Sequence, residues 1–292
     1  MSESWTVIKL LSWAVPYLQK YGVRTPRLDV ELLLAKVLSC DRIDLYLNYD
    51  RPTSEAERAA FKKLLIRRRE REPIAYILGQ KEFWSLPFMV NPEVLIPRPE
   101  TEHLVEAAIA IISKYYSAGG TVVDLGTGSG NILLSIAHHF QVHAGLHWLG
   151  FDLSPKAVET ASRNAKLLKL ERVGFSVADL AAVHPEPDQS WNIILSNPPY
   201  IPTGELEKLA AEVRQEPQWA LDGGPDGLDY YRILSQRISS LLAEGGFLIV
   251  EVGDGQAGKV RTLLAEQNPH SLDTVSDLQG IERVVIGRWI KS

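Results

Sequence analysis

The most unusual stretch of the chain is LSNPPYIP, residues 195–202. It follows an apolar run typical of a strand, but Pro198 and Pro199 cannot donate ladder hydrogen bonds, so regular structure must end at Asn197. A proline offers a backbone carbonyl without an N–H, so this stiff turn, which ends in Tyr200, can hold hydrogen-bond acceptors in fixed positions. A structural role also fits, in which the prolines end the strand and Asn197 caps a turn.

A second motif that could bind a ligand is the glycine-rich loop in VVDLGTGSGN, residues 122–131. Its glycines allow a ligand to approach the backbone closely, and the helix that follows offers free N–H groups. Asn131 replaces the third glycine of the dinucleotide fingerprint, and a Lys-Ser/Thr pair is absent. Asp152 ends the next apolar run, where an acid can accept hydrogen bonds from ribose hydroxyls or cap a helix. The pattern favours a nucleoside-containing ligand, and Asp124 either binds that ligand or braces the loop.

The pattern along the chain divides it into three parts. Residues 1–75 show helical spacing of apolar residues and are interpreted as a small helical domain. Residues 76–99 mix aromatic and β-branched residues with prolines, which favours a hairpin and an extended connector. Residues 100–292 alternate helices with five apolar strands and a terminal strand pair, which predicts a mainly parallel sheet covered on both faces. Ligands of such sheets bind beyond the carboxyl ends of the strands, where the glycine loop, Asp152 and Asn197 all fall.

The composition sets limits on the class of protein. An apolar content of 45%, a charged content of 23% and a net charge of −5 over 292 residues are typical of a globular protein and argue against a surface that coats nucleic acid. The single cysteine, Cys40, excludes an internal disulfide and a Cys-based zinc site. The first 22 residues resemble neither a signal peptide nor a membrane span, so we expect a cytoplasmic protein.

Taken together, the motifs resemble those of class I S-adenosylmethionine-dependent methyltransferases. VVDLGTGSG is similar to the first motif of that class, and SNPPY to the active-site motif of members that methylate a planar amide or amine nitrogen. The resemblance is closest to the release factor glutamine methyltransferases (HemK type), and it extends over GQKEFWSLPFMVNPEVLIPRPETE, VRQEPQWALDGGPDGLDYYRIL and ERVVIGRW. It implies an α/β, Rossmann-like domain with a seven-stranded, mainly parallel sheet at residues 100–292. It also implies a β-hairpin connector at 76–99 and an N-terminal helical substrate-docking domain at 1–75.

The resemblance implies roles for individual residues. The catalytic residues are expected to be Asn197, Pro198, Pro199 and Tyr200. The residues expected to bind S-adenosylmethionine, and its product S-adenosylhomocysteine, are Asp124, Gly126, Thr127, Gly128, Ser129, Gly130, Asp152, Leu153, Asp179, Leu180 and Asn197. The residues expected to contact the substrate are Asn197, Pro198, Pro199, Tyr200, Phe83 and Arg98. No metal is expected.

The resemblance also gives the Asn-Pro-Pro-Tyr turn a chemical purpose. A glutamine side-chain nitrogen is a poor nucleophile because its lone pair is delocalised into the carbonyl. Acceptors for its two N–H groups, from the Asn197 side chain and the Pro198 backbone, would hold it still and stabilise the developing positive charge. Tyr200 would pack against the flat amide. The implied partner is a bacterial-type peptide-chain release factor, methylated on the glutamine of its Gly-Gly-Gln tripeptide, with no membrane or direct nucleic-acid substrate expected.

Other interpretations remain open from the residues alone. An adenine-N6 nucleic-acid methyltransferase shares the motif but needs base flipping and phosphate contacts. A non-catalytic adaptor would bind S-adenosylmethionine or a release factor without turnover. Glu93, Arg98 and Glu100 either line the substrate entrance or form hinge salt bridges. The basic run at 67–71 is interpreted as a solvated helix face, and the histidines at 138, 139, 143 and 147 as unrelated to a metal site.

Overall fold

The computed structural model describes residues 5–140, 144–170, 172–186 and 190–290, which form two compact units. The helical unit comprises Met1–Gly79 together with Ala210–Gln215, and the sheet unit comprises Gln80–Leu209 and Glu216–Ser292. Over the described ranges, no helix is long and apolar enough to cross a bilayer.

Short helices pack around one apolar core in the helical unit. Their bounds are α1 Val7–Lys20, α2 Pro26–Leu38, α3 Arg42–Leu47, α4 Glu55–Arg69 and α5 Ile74–Leu78. The core is built from side chains on successive turns of these helices, including Leu11, Leu18, Leu34 and Phe61. A capping box marks the start of α4, where the Ser54 side chain accepts from the Glu57 N–H and the Glu57 side chain accepts from the Ser54 N–H. Helices α3 and α5 were not predicted, since one or two turns are too short to show a clear period.

The bounds of the helical unit differ from the range 1–75 for two physical reasons. Helix α5 buries Ile77 in the helical core, so the unit ends after Gly79. The segment Ala210–Gln215 joins the unit through Glu212, which accepts hydrogen bonds from Arg68 at 2.9 Å and Arg71 at 2.7 Å. Burial raises the pKa of Glu212, but the hydrogen bonds from Arg71 and Arg68 outweigh it and hold the pKa at about 2. These cations therefore belong to ion pairs, but Arg68 is only 4% exposed, so the interpretation of residues 67–71 as a solvated helix face is wrong for Arg68.

We expect Glu212→Gln to release the segment 210–215 from the helical unit, because it removes the charge that pairs with Arg68 and Arg71. Hydrogen exchange of the amides in 210–215 should become faster, whereas Glu207→Gln, at an exposed position, should leave it unchanged. In the unaltered protein the contribution of this carboxylate to stability is present above the usual pKa of glutamate, and it is lost as the pH falls to about 2. Unchanged exchange in Glu212→Gln would show that the ion pairs do not hold the segment.

The sheet unit contains a hairpin and a seven-stranded sheet. The hairpin strands are β1 Gln80–Phe83 and β2 Leu86–Met89. The strands of the large sheet are β3 Gly120–Leu125, β4 Leu146–Asp152, β5 Val173–Val177, β6 Trp191–Ser196, β7 Leu242–Glu251, β8 Ser271–Ser276 and β9 Glu282–Arg288. Its helices are α6 Glu102–Tyr115, α7 Asn131–His139, α8 Pro155–Leu167, α9 Asp229–Leu241 and α10 Ala257–Ala265.

The strand order, β5-β4-β3-β6-β7-β9-β8, explains where a ligand can bind. Strands β3 to β7 pair in parallel, and β9 is antiparallel to both its neighbours. This confirms the predicted seven-stranded, mainly parallel sheet. The chain runs outward from β3 to β5 and then returns to place β6 on the other side of β3. This change of direction opens a crevice between the carboxyl ends of β3 and β6, where the glycine loop and the Asn-Pro-Pro-Tyr turn begin.

Helices cover both faces of the sheet, which accounts for the apolar strands. Ile193 packs into the core on one face, with Leu104 and Leu133, and Ile194 packs into the core on the other, with Leu234. Consecutive residues of β6 are therefore both fully buried, and residues 193–195 form an apolar run rather than an alternating pattern.

Candidate active site

A cavity of about 390 Å³ lies at the carboxyl ends of β3, β4, β5 and β6. Loops that are distant in sequence meet there, as expected for a sheet of this topology. The predicted site residues that line it are Gly126, Thr127, Gly128, Ser129, Asp152, Leu153, Asp179, Leu180, Asn197, Pro198, Pro199 and Arg98. The arrangement therefore brings the glycine loop and the Asn-Pro-Pro part of the turn to one cavity.

Four predicted site residues do not line this cavity. Phe83 is 2% exposed and packs in the core of the sheet unit, so it is placed for folding rather than for substrate contact. Gly130 is the N-cap of helix α7 and has a positive φ of 79°, a conformation that glycine adopts without strain. The ring of Tyr200 packs against the apolar core instead of standing at the surface of the cavity. Asp124 is fully buried beneath the glycine loop.

Asp124 braces the glycine loop from below. Its carboxylate accepts a hydrogen bond from the Thr127 hydroxyl at 2.7 Å. The backbone N–H groups of Gly126 and Thr127 both donate to the Phe151 carbonyl, at 2.8 and 2.9 Å, which fixes the loop to the end of β4. Burial raises the pKa of Asp124 to about 7. Of the two roles open to Asp124 in the sequence, the structure shows the brace.

Asp152 braces the loop and also faces the cavity. One carboxylate oxygen accepts from the Gly128 N–H at 2.8 Å, and the other accepts from the Ser154 N–H at 2.9 Å. Burial raises the pKa of this carboxyl group. Each carboxylate oxygen has a further lone pair, so Asp152 can also accept hydrogen bonds from vicinal hydroxyls of a ligand.

The Asn197 side chain is held in a defined orientation. It lines the cavity, and its Nδ2 group donates to the Thr101 hydroxyl at 3.2 Å. Because the amide nitrogen is used inside the protein, the amide oxygen remains as an acceptor for a ligand. Pro198, next in the chain, lines the same cavity and contributes a carbonyl with no N–H beside it. The site thus holds an acceptor-rich turn next to the glycine loop.

Glycines pack tightly behind the turn and explain why the segment DGGPDG follows it. A Cβ atom on Gly223 would lie 2.8 Å from the Pro199 carbonyl oxygen and 2.8 Å from the Tyr200 Cα. A Cβ atom on Gly227 would lie 2.3 Å from the Tyr200 carbonyl oxygen. Gln256 adds a hydrogen bond from its Nε2 group to that oxygen, at 2.9 Å. Close packing of the backbone at Gly223 and Gly227 therefore fixes the turn, in addition to its own prolines.

We expect Gly223→Ala to displace the Asn-Pro-Pro-Tyr turn and to lower kcat by about tenfold or more, since small misplacements of reacting groups have large effects on rate. Its backbone does not require glycine, so the effect would come from the added methyl group alone. Gly204→Ala is the matched control, because a Cβ atom there meets nothing within 4 Å. Steady-state kinetics of both variants measure the effect. Equal kcat values for both would show that the turn tolerates displacement.

Several cavity residues were not predicted from the sequence. They include Thr101 at the start of α6, Trp219, which is 52% exposed, and Tyr230 and Ile233 on α9. Their positions depend on how α6, α9 and the segment after the turn pack, which no local motif reveals.

Arg98 of the connector borders the cavity and pairs with an acid, and its contact with a substrate stays a prediction. It lines the cavity and forms an ion pair with Glu216, which is 5% exposed and also accepts from the Ile96 N–H at 3.0 Å. Glu93 likewise lines the cavity and pairs with Lys156.

The histidines discounted as a metal site fall partly outside the described residues, because His143 is not among them. Within the described ranges, no group of three or more His, Cys, Asp or Glu side chains is arranged to hold a metal ion.

The fold and the cavity define a methyltransferase domain, and a family model of that description matches residues 116–282. A second model, described as the PrmC N-terminal domain, matches residues 9–79. A release factor glutamine methyltransferase of Geobacter sulfurreducens is 43% identical over 98% of this chain and 98% of its own length. One of Rhodopirellula baltica is 42% identical over 96% of this chain and 95% of its own length. The chain belongs to the release factor glutamine methyltransferase family.

A solved structure shows the same fold in a more distant protein. The hMettl16 catalytic domain, in complex with the MAT2A 3′UTR hairpin 6, is 13% identical with a TM-score of 0.56, over 75% of this chain and 82% of that chain. At this identity the likeness concerns the fold alone. The full-length relatives confirm the family resemblance drawn from the motifs.

Proposed function

We propose that this protein transfers a methyl group from S-adenosylmethionine to the side-chain nitrogen, N5, of the glutamine in the Gly-Gly-Gln tripeptide of a peptide-chain release factor. The observation that carries the proposal is the Asn197 side chain. Its amide nitrogen donates to Thr101, and its oxygen, with no hydrogen-bond partner among the described residues, can accept from a substrate amide at the edge of a cavity that also contains the glycine loop. The names of the full-length relatives support the release factor as substrate. The proposed place of action is the cytoplasm.

The residues of the cavity fit S-adenosylmethionine. Asp152 offers lone pairs to ribose hydroxyls, and Leu180 offers an apolar surface to adenine. The glycine loop lies between these residues and the Asn-Pro-Pro-Tyr turn, so the sulfonium end of the ligand would point towards Asn197. When bound, the cofactor supplies an electrophilic methyl group on a positively charged sulfur.

The protein contributes orientation and electrostatics to the transfer. The Asn197 oxygen and the Pro198 carbonyl each accept one N–H of the glutamine amide, which aligns the nitrogen and stabilises its growing positive charge. With S-adenosylmethionine bound, the new nitrogen–carbon bond would form as the carbon–sulfur bond breaks, while Asn197 and Pro198 hold the nitrogen in place. The extra proton on the nitrogen would then pass to water, and S-adenosylhomocysteine would be the second product.

Two further roles rest on the family resemblance. The helical domain is the predicted docking element for the release factor, and Arg98 is the predicted substrate contact in the connector. Of the substrate-binding residues expected from the sequence, we retain Asn197, Pro198, Pro199 and Arg98, because all four line the cavity.

The test is a methyl-transfer assay with labelled S-adenosylmethionine and a choice of acceptors. We expect label in an unmethylated release factor and none in the same factor with the glutamine of its tripeptide replaced by alanine. Label in DNA or RNA adenine with an unlabelled release factor would instead support nucleic-acid methylation. Cofactor binding without transfer to any acceptor would support a non-catalytic adaptor.

A further inference from the structure

A buried carboxyl group lies behind the Asn-Pro-Pro-Tyr turn. Glu251 is the last residue of β7, the neighbour of the strand that ends just before Asn197, and it is only 2% exposed. The Tyr231 hydroxyl donates to its backbone carbonyl at 2.7 Å, and the Tyr200 hydroxyl lies 3.5 Å from its Oε1 atom. Among the described residues its Oε2 atom has no hydrogen-bond partner that meets normal geometry. Burial of an incompletely paired carboxyl group is costly and calls for a reason.

Thr101 connects this carboxyl group to the site. Thr101 is 1% exposed, lines the cavity and accepts a hydrogen bond from Asn197 Nδ2 at 3.2 Å. Its hydroxyl also interacts with the Glu251 carboxyl group and favours the charged form of that group. A hydroxyl has one proton to donate, and an ionised carboxylate can only accept. With Glu251 ionised, a Thr101 proton directed towards Glu251 leaves the Thr101 oxygen to accept from Asn197, which is the hydrogen bond observed.

We propose that Glu251 is a positioning residue which, through Thr101, holds the Asn197 amide with its oxygen towards the methyl acceptor. The inference rests on the proposed methyl transfer to a glutamine nitrogen. If Glu251 carries a proton, the carboxyl group can donate to Thr101 and the Thr101 hydroxyl can donate to the Asn197 oxygen. The Asn197 amide then turns its NH₂ group towards the NH₂ group of the substrate. These two donors face each other, and the substrate nitrogen no longer has the Asn197 oxygen as its acceptor.

The charges around Glu251 set the pH at which this reversal occurs. The titratable groups that face it are Glu100, Arg283, Tyr200 and Tyr231. Burial raises the pKa of Glu251 to about 7 and Glu100 adds to the rise, while Thr101, Arg283 and Tyr200 oppose it. The ionised, productive arrangement is present above this pH and is lost as the pH falls through about 7.

Kinetics of the full-length protein with an unmethylated release factor test the proposal, with kcat measured across pH 5.5 to 9, which is roughly the range on either side of the pKa. We expect Glu251→Gln to lower kcat about 10- to 100-fold at pH 8 and to abolish the decline of kcat in acid that depends on Glu251. The KM for S-adenosylmethionine should change little. Glu244→Gln, at an exposed position on the same strand, is the matched control and should keep the rate and the pH profile of the unaltered protein.

Variants of Thr101 provide a second, independent test. Thr101→Val removes the hydroxyl and keeps the shape, and should lower kcat in the same way, whereas Thr101→Ser keeps the hydroxyl and should retain most of the rate. The two Thr101 variants test the positioning role even if the Glu251→Gln protein fails to fold. The positioning role would be overturned by a Glu251→Gln protein whose kcat and whose decline of kcat in acid are both unchanged. Equal kcat values for Thr101→Val and Thr101→Ser would also overturn it. In either case methylation by the unaltered protein would still support the proposed function. Absence of methylation by the unaltered protein would overturn the proposed function itself, and this inference with it.

Discussion

Asn197→Ala is expected to lower kcat about 10²- to 10³-fold, the loss typical of removing one preorganised hydrogen-bonding group from a transition state. The variant leaves the Pro198 carbonyl in place but removes the acceptor for the second N–H of the glutamine amide. The nitrogen then has more freedom and less stabilisation of its developing charge. The nucleoside end of the cofactor lies against Asp152 and the glycine loop in our account, so its dissociation constant should change less than about tenfold.

Single-turnover kinetics and calorimetric titration of S-adenosylmethionine separate these two quantities in the Asn197→Ala protein. The thermal unfolding midpoint serves as the control for folding, and we expect it to remain close to that of the unaltered protein because Asn197 lies at the surface of a cavity. A kcat within about threefold of the original value would contradict the catalytic role of the turn. A rate that falls only because the cofactor no longer binds would assign Asn197 to cofactor binding instead.

Asp152→Asn is expected to weaken S-adenosylmethionine binding about 10- to 100-fold, since hydrogen bonds to a charged group are stronger than those to a neutral one. The carboxylate accepts from the Gly128 and Ser154 N–H groups with its two oxygens. An amide in its place offers one oxygen and one NH₂ group, so one of these N–H groups faces another donor. The variant thus disturbs the glycine loop as well as the proposed ribose contact.

Titration calorimetry with S-adenosylmethionine and with S-adenosylhomocysteine measures the affinity of the Asp152→Asn protein. Both dissociation constants should rise together, because the ribose is common to the two molecules. Asp273→Asn is the control, because Asp273 is exposed on β8 and does not line the cavity. Unchanged affinity in Asp152→Asn would leave Asp152 with only its structural role as a brace for the glycine loop.

The sequence predicts the sheet well because its central parallel strands are covered on both faces. Burial on both faces turns β3, β6 and the end of β7 into apolar runs that stand out between helices. Helices α3 and α5 lack such a signal, since their packing depends on neighbouring helices rather than on their own period. The bounds of the helical unit also depend on tertiary contacts, because the segment 210–215 is attached by Glu212 far along the chain.

The sequence predicts those parts of the site whose positions follow from the path of the backbone. Strand topology alone brings the glycine loop, Asp152 and Asn197 to one edge of the sheet. The direction of an individual side chain is a matter of packing, and for that reason Phe83 is a core residue and Tyr200 turns away from the cavity. In the sequence, Glu251 can be recognised as an acid within the apolar strand GFLIVEV. Its partners can be identified only from the structure, in which β7 lies beside β6.

The measurement that tests the central claim most directly is fragmentation mass spectrometry of a release factor after incubation with this protein and S-adenosylmethionine. We predict a gain of about one methyl group, roughly 14 Da, on the Gly-Gly-Gln peptide, located on the glutamine side chain and strongly reduced with Asn197→Ala at the same early reaction time. A methyl group on another residue, or an equal gain with Asn197→Ala, would contradict the claim that this turn directs transfer to a glutamine nitrogen.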